Sequence, residues 1–148
     1  MNMQYQEIKK KRQDDHNKLF SDLGVFWAFS DSQFKEGLAK TKLAEGEKLV
    51  RIGAGGFIPK HNAQALIDGM KAIEDTFKAQ IKENKAREKH ILYELNNHEC
   101  FYIGDITPAL EALGEDYTAE EVQTVMEKYK AEKYRRSLSL EEQKLKYA

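Results

Sequence analysis

Cysteine occurs once in this chain, at Cys100, and proline twice. A single thiol permits no internal disulfide and fits a reducing compartment. No apolar run approaches the ~20 residues that cross a bilayer, and the opening MNMQYQEIKKKRQDD has no apolar signal-peptide core. The expected protein is soluble and cytoplasmic, with no membrane partner. An excess of charge of one sign is missing as well, since 24 Lys and Arg face 25 Asp and Glu for a net charge of -1. That balance excludes a strong global field drawing in nucleic acid, and equally an acidic mimic of DNA. Nucleic-acid contact, if any, must come from local basic stripes.

Complete chemical motifs are also lacking. The glycines of KLVRIGAGGFIPK are not followed by the Gly-Lys-Ser/Thr of a phosphate loop, and Ile58 stands where a dinucleotide fingerprint needs glycine. His98-Glu99 has no second histidine at HExxH spacing. Gly53 to Gly56 therefore predicts a tight turn between a strand at Leu49 to Ile52 and a second at Phe57 to Ile58, ended by Pro59.

What the sequence does contain is enough for one domain. Its 148 residues are 41% hydrophobic and 33% charged, which gives a single α+β domain over residues 1–148, with residues 1–22 and 137–148 as peripheral helix and tail. The expected sheet is small and antiparallel, with two to three strands and room for a fourth. It packs against a long amphipathic helix, with further helices at both termini. Residues 4 to 22 read as a surface helix closed by Gly24. From Asn62 the spacing of Ala63, Leu66, Ile67, Met70, Ile73, Phe77 and Ile81 predicts a helix whose apolar stripe covers the sheet. With no proline or glycine between Gly69 and Gly104, this helix either runs on to about Asn96, ~50 Å in all, or breaks near Asn84.

GVFWAFSDSQF, residues 24 to 34, concentrates aromatic rings. In an extended chain Val25, Trp27 and Phe29 face one way and Phe26 and Ala28 the other, so a strand covered on both faces is expected. No Lys or Arg is interleaved, as a base-stacking platform would require. Ser30 and Gln33 have capping-box spacing, predicting a helix from Asp31 with Phe34 and Leu38 turned inward. Thr107 before Pro108, and Thr118 with Glu121, mark two later helix starts, with Gly114 ending the first of them. Cys100 to Ile103 reads as a strand or a buried extended link, and Ser139 with Glu142 as a separate terminal turn.

Two sets of residues are candidates for function. The polar cluster Glu94, Asn97, His98, Glu99 and Asp105 contains i,i+4 pairs able to share a metal ion, although His90 and His98 stand about 12 Å apart on a straight helix and cannot both join. Asn96, Asn97 and His98 equally suit the carbonyls that end a helix, and Cys100, flanked by Phe101 and Tyr102, reads as an inert buried thiol. No catalytic residue, cofactor or metal is assigned, and a non-enzyme is expected. The second set is basic: Lys9, Lys10, Lys11 and Arg12 on the first helix, with Lys82, Lys85, Arg87 and Lys89. These form a candidate surface for a protein partner or a second copy of the chain. With Lys133, Arg135 and Arg136 they form the alternative, a salt-dependent nucleic-acid surface.

YELNNHECFYIGDITPALEALG, together with GVFWAFSDSQFKEG and GGFIPK, resembles small accessory proteins of Bacteroidetes-type phages and mobile elements. The shared features are an F-x-A-F strand before a polar helix start, and N-H-E followed by G-D and a short helix ending in Leu-Gly, over residues 24 to 125. The resemblance implies an accessory protein in a bacterial host cell that binds and blocks a host factor, either as an inhibitor of a host defence factor or as a replication accessory. It brings no chemistry with it.

Overall fold

The computed structural model describes the backbone of residues 2–41 and 43–147, with side chains as far as Arg136. It is an α+β fold of seven α-helices and one three-stranded antiparallel sheet among these residues. The chain divides into two compact units, Met1–Asn84 and Lys85–Ala148, where the sequence was read as one domain.

In the first unit, α1 (Tyr5–Asp22) and α3 (Ala63–Glu83) form an antiparallel pair. The Met3 N–H donates to Asn84 Oδ1 at 2.8 Å, Arg12 lies 3.8 Å over the Phe77 ring, and Leu19 meets Gly69. Tyr5 and Ile8 are buried on α1, and Leu66, Phe77 and Ile81 on α3. So α1 is an integral layer of this unit, and α1 is the principal partner of the α3 stripe; the expectation that this stripe mainly covers the sheet is corrected. Gly69 lies directly against Leu19, where a Cβ would stand 2.6 Å from a methyl that would have to turn aside.

Between the helices run β1 (Phe26–Trp27), α2 (Asp31–Thr41), β2 (Leu49–Gly53), β3 (Gly56–Pro59) and one 3-10 turn at Lys60–Asn62. The strand order is β1-β3-β2. The β2–β3 hairpin is the one the glycines and Pro59 predict, with Val50 opposite Ile58 and Arg51 opposite Phe57, and an irregularity between Arg51 and Gly53. Its two-residue loop places both Ala54 (φ 50) and Gly55 (φ 80) in the left-handed region, the backbone of a type I′ turn.

The aromatic run departs from expectation. Its strand is only two residues long, and the faces do alternate. Phe26 joins Phe34 and Phe57 in a ring cluster with centroids 5.1 to 6.0 Å apart, against Gly37 of α2. Trp27 turns the other way, edge-on to Phe20 at 5.3 Å. Burial fails, however: Trp27 is 43% and Phe29 76% exposed. A short edge strand has too little around it to cover a second face, so of the three rings only Phe26 is even half-buried. Leu38, expected inward, is exposed too. The helix start itself is as predicted, with Gln33 N–H donating to Ser30 Oγ at 3.2 Å, although Gln33 Oε1 reaches back to Phe29 N–H and not to Ser30.

The second unit contains α4 (Arg87–Asn97), the one-turn α5 (Cys100–Ile103), α6 (Thr107–Leu113) and α7 (Ala119–Tyr147). Residues 62–97 are therefore not one helix: α3 ends at Glu83, Asn84 Nδ2 donates to the Gln80 carbonyl at 2.8 Å, and Lys85 turns left-handed at φ 53. The core joins Ile91 and Leu95 of α4, Cys100, Ala109 and Leu113, and Val122, Val125 and Met126 of α7. Cys100 to Ile103 is helical, correcting the extended reading. Helix α7 runs unbroken to Tyr147, correcting the separate terminal turn; side chains beyond Arg136, Tyr147 included, lie outside the described residues. Among the described residues no helix is long and apolar enough to cross a membrane.

Candidate functional site

Of the polar cluster, the structure brings together one pair. Glu94 and His98 do meet, with His98 Nε2 3.2 Å from Glu94 Oε2, as their i,i+4 spacing on α4 requires. Asp105 is turned elsewhere: its Oδ1 accepts from Thr107 N–H at 2.9 Å and from Thr107 Oγ1 at 2.7 Å. Those hydrogen bonds hold its carboxyl below the usual aspartate range. Asp105 thus supplies the cap expected of Thr107. Asn97 is exposed, and Glu99 is exposed in the left-handed conformation (φ 55) that joins α4 to α5. Cys100 is fully buried, in keeping with an inert thiol. Among the described residues no three metal-binding side chains converge.

The basic candidates are dispersed. Lys10 and Lys11 are each 2.7 Å from a carboxylate one turn on, Asp14 and Asp15. Arg12 spends its charge on the Phe77 face and on Glu74 at 3.7 Å, and Lys9 is half-buried. Lys82 is exposed near the end of the first unit, and Lys85 and Lys89 are exposed in the second. Arg87 is a structural clamp: it chelates the Glu121 carboxylate, donates to the Asp116 carbonyl, and stacks 3.9 Å over the Tyr117 ring. The Arg87 hydrogen bond draws the Glu121 carboxyl below its ordinary range. Glu121 N–H still donates to Thr118 Oγ1 at 3.2 Å, so the predicted start of α7 is present while the Glu121 side chain is diverted to the clamp. A basic run on α1 does not become a basic stripe, because its charges are neutralised within the helix or buried against α3.

Surface that is open to a partner lies elsewhere. In the second unit a groove of about 640 Å³ is floored by Phe101 and Tyr102 of α5 and walled by Lys130, Lys133 and Tyr134 of α7. Tyr102 is 90% exposed, Tyr134 66%, and the neighbouring Ile103 53%. The one-turn α5 explains this. Its first residue, Cys100, is drawn into the core, and successive side chains turn ~100° around the axis, so Tyr102, ~200° round from Cys100, must face out. Lys133 crosses the floor, with Nζ donating to Asn96 Oδ1 and standing 4.1 Å over the Phe101 ring. In the sequence Phe101 and Tyr102 read as flanks of a buried Cys100; once the segment coils, two adjacent rings in a single helical turn cannot both cover it.

In the first unit, Trp27 and Phe29 form a second outward aromatic site. A Cβ on Gly55 would stand 2.5 Å from the Phe29 ring, so this ring rests against the hairpin turn. Another concavity, of about 390 Å³, has Asp22, Lys40, Glu47 and His61 around it. There His61 Nδ1 faces the Glu47 carboxylate, so the polar groups are turned on each other.

Residues 4–133 match the model of a family described as "Family of unknown function (DUF7659)". No curated protein and no solved structure matches the chain.

Proposed function

We propose that this chain, which belongs to the DUF7659 family, works by binding another protein and not by catalysis. The phage or mobile-element accessory role implied by its sequence resemblance, with a host factor as target, is the setting we propose for that binding. The observation that carries the reading is the groove of the second unit, where two tyrosines and an isoleucine stand more than half exposed beside a 640 Å³ concavity. Tyrosine on a rigid helix is an economical interface residue: it brings a large amphipathic area with little rotamer entropy to lose. The alternative, a nucleic-acid surface on the basic helical faces, is less well supported, since Lys10, Lys11, Arg12 and Arg87 are engaged within their own units.

The test is affinity capture from bacterial lysate with the wild-type chain and with the double variant Tyr102→Ser, Tyr134→Ser, both checked for a native circular dichroism spectrum. A protein retained by the wild type and lost by the variant is expected. Equal retention by both would remove the groove from the function, and retention of nucleic acid alone would replace the reading with its alternative.

A further inference from the structure

Lys133 differs from the lysines of either unit that face a carboxylate. Lys10, Lys11, Lys18, Lys71 and Lys128 each lie 2.6 to 3.0 Å from a carboxylate. Lys133 is instead held by two neutral groups, the Asn96 amide oxygen and the face of Phe101. An amide oxygen and a ring fix the position of an ammonium without cancelling its charge. One of its three N–H donors faces Asn96, which leaves donor capacity for an anion arriving from the groove. Lys130 stands one turn back on the same wall of α7, and Glu99 is the carboxylate on the opposite lip. Two cations thus outnumber one anion in a concavity whose other surface is aromatic.

We propose that this groove binds an acidic peptide segment of a partner protein, with a carboxylate on Lys133 and Lys130 and an adjacent aromatic side chain against Tyr102 and Tyr134. This rests on the protein-binding reading and specifies the chemistry of its ligand. Charge complementarity selects the acid, because a carboxylate reaching a pre-positioned ammonium makes a charge-assisted hydrogen bond that an amide cannot match. The exposed rings select its neighbour, since an aromatic pair in offset or edge-on contact gains beyond its buried area. A single strand of nucleic acid fits less well. Its phosphates recur at every nucleotide and call for cations in series, whereas this groove is lined by two lysines and the carboxylate of Glu99, and Arg136, further along α7, is bonded to Glu132 at 3.0 Å. The volume of about 640 Å³ accommodates a few side chains of an extended segment.

Fluorescence anisotropy with the full chain tests this, using three labelled probes: a short peptide with an Asp-Phe-Asp centre, the same peptide with Asn-Phe-Asn, and a short oligo-deoxythymidine. The acidic peptide is expected to bind about tenfold more tightly than its amide twin, the advantage shrinking as salt rises. Lys133→Met keeps most of the side-chain length and should erase the difference. Tyr102→Ser should weaken both peptides, and Lys71→Met, in the other unit, should change nothing. Equal affinity for the two peptides, no binding of either, or a preference that survives Lys133→Met would overturn the proposal, as would tighter binding of the oligonucleotide through Lys133. A host protein lost from the Tyr102→Ser, Tyr134→Ser variant but kept by Lys133→Met would sink the acidic ligand alone; a host protein kept by both would sink the parent reading.

Discussion

Replacing Gly37 by alanine isolates what holds α2 to the sheet. In an exposed helix the change would stabilise, by about 0.5–1 kcal/mol, because glycine surrenders more backbone entropy than alanine. Here the new Cβ would stand 2.1 Å from Phe26 Cδ2, 2.5 Å from Cε2 and 2.7 Å from Cγ, against the ~3.5–4.0 Å at which carbons rest in contact. The Phe26 ring must therefore retreat by more than ~1 Å, and Phe34 and Phe57 stand in its way at 6.0 and 5.5 Å between centroids. Overpacking of this kind costs ~1–3 kcal/mol, and displacing either ring pair adds ~0.5–1.5 kcal/mol. The net expectation is a loss of ~1–3 kcal/mol, equivalent to roughly 4–8 °C of Tm per kcal/mol for a unit of this size. Trp27, the single tryptophan of the chain, belongs to the first unit, so its fluorescence during thermal or urea unfolding reports on that unit specifically. Gly69→Ala is the control. Its Cβ would meet the Leu19 methyls at 2.6 and 2.9 Å, but these are the tips of a side chain that can rotate away, so a change within about 1 kcal/mol is expected. Should Gly37→Ala melt at or above the wild-type temperature, or lose no more than Gly69→Ala, the packing argument for α2 is wrong. A Phe26→Leu background should relieve much of the loss, since the two sites are coupled.

Other perturbations probe the strained backbone and the charges. Glu99 and Ala54 hold left-handed φ values of 55 and 50, so Glu99→Gly and Ala54→Asn should each raise the denaturation midpoint, by about 0.5–1 kcal/mol in stability; a lower midpoint for Ala54→Asn would contradict the type I′ turn. Glu121, Glu88 and Asp105 all have carboxyls drawn below their ordinary range, by hydrogen bonds from Arg87, Lys128 and Thr107 respectively. A depressed folded-state value means the stabilisation is complete above the unfolded value of about 4 and drains as the pH falls toward the folded value. The second unit should therefore weaken below about pH 4, and Glu121→Gln should flatten that decline in a pH series of urea midpoints; an unchanged decline refutes the clamp. The buried Cys100 thiol should react with a disulfide reagent far more slowly in the native protein than in urea, and equal rates would show that its cover opens freely.

The legibility of the sequence varied with the kind of signal. The hairpin announced itself because Gly53 to Gly56 and Pro59 are backbone instructions, readable one residue at a time. Amphipathic spacing likewise found α3. It did not find what the stripe would face, since periodicity tells which side is apolar and not whether a sheet or another helix lies against it. Trp27 and Phe29 failed for the same reason: alternation was right, but coverage depends on how many layers the finished unit can supply. A break near Asn84 was one of two readings and is where α3 ends, but nothing chose it over a continuous helix, because the residue that turns left-handed there is Lys85 and not a glycine. In the candidate site, Glu94 and His98 were predictable partners at i,i+4, whereas Asp105 was claimed by its own local turn. The groove escaped because it requires knowing that Cys100 to Ile103 coils once, which throws Tyr102 outward, and that Lys133 of α7 comes to rest over Phe101.

The bond between the Met3 amide and Asn84 closes the first unit into a ring in all but covalency. A segment whose two ends nearly touch can be spliced into a foreign loop like a cassette, or reopened at the Ala54-Gly55 turn and joined head to tail by a short linker, with its helices and strands keeping their neighbours.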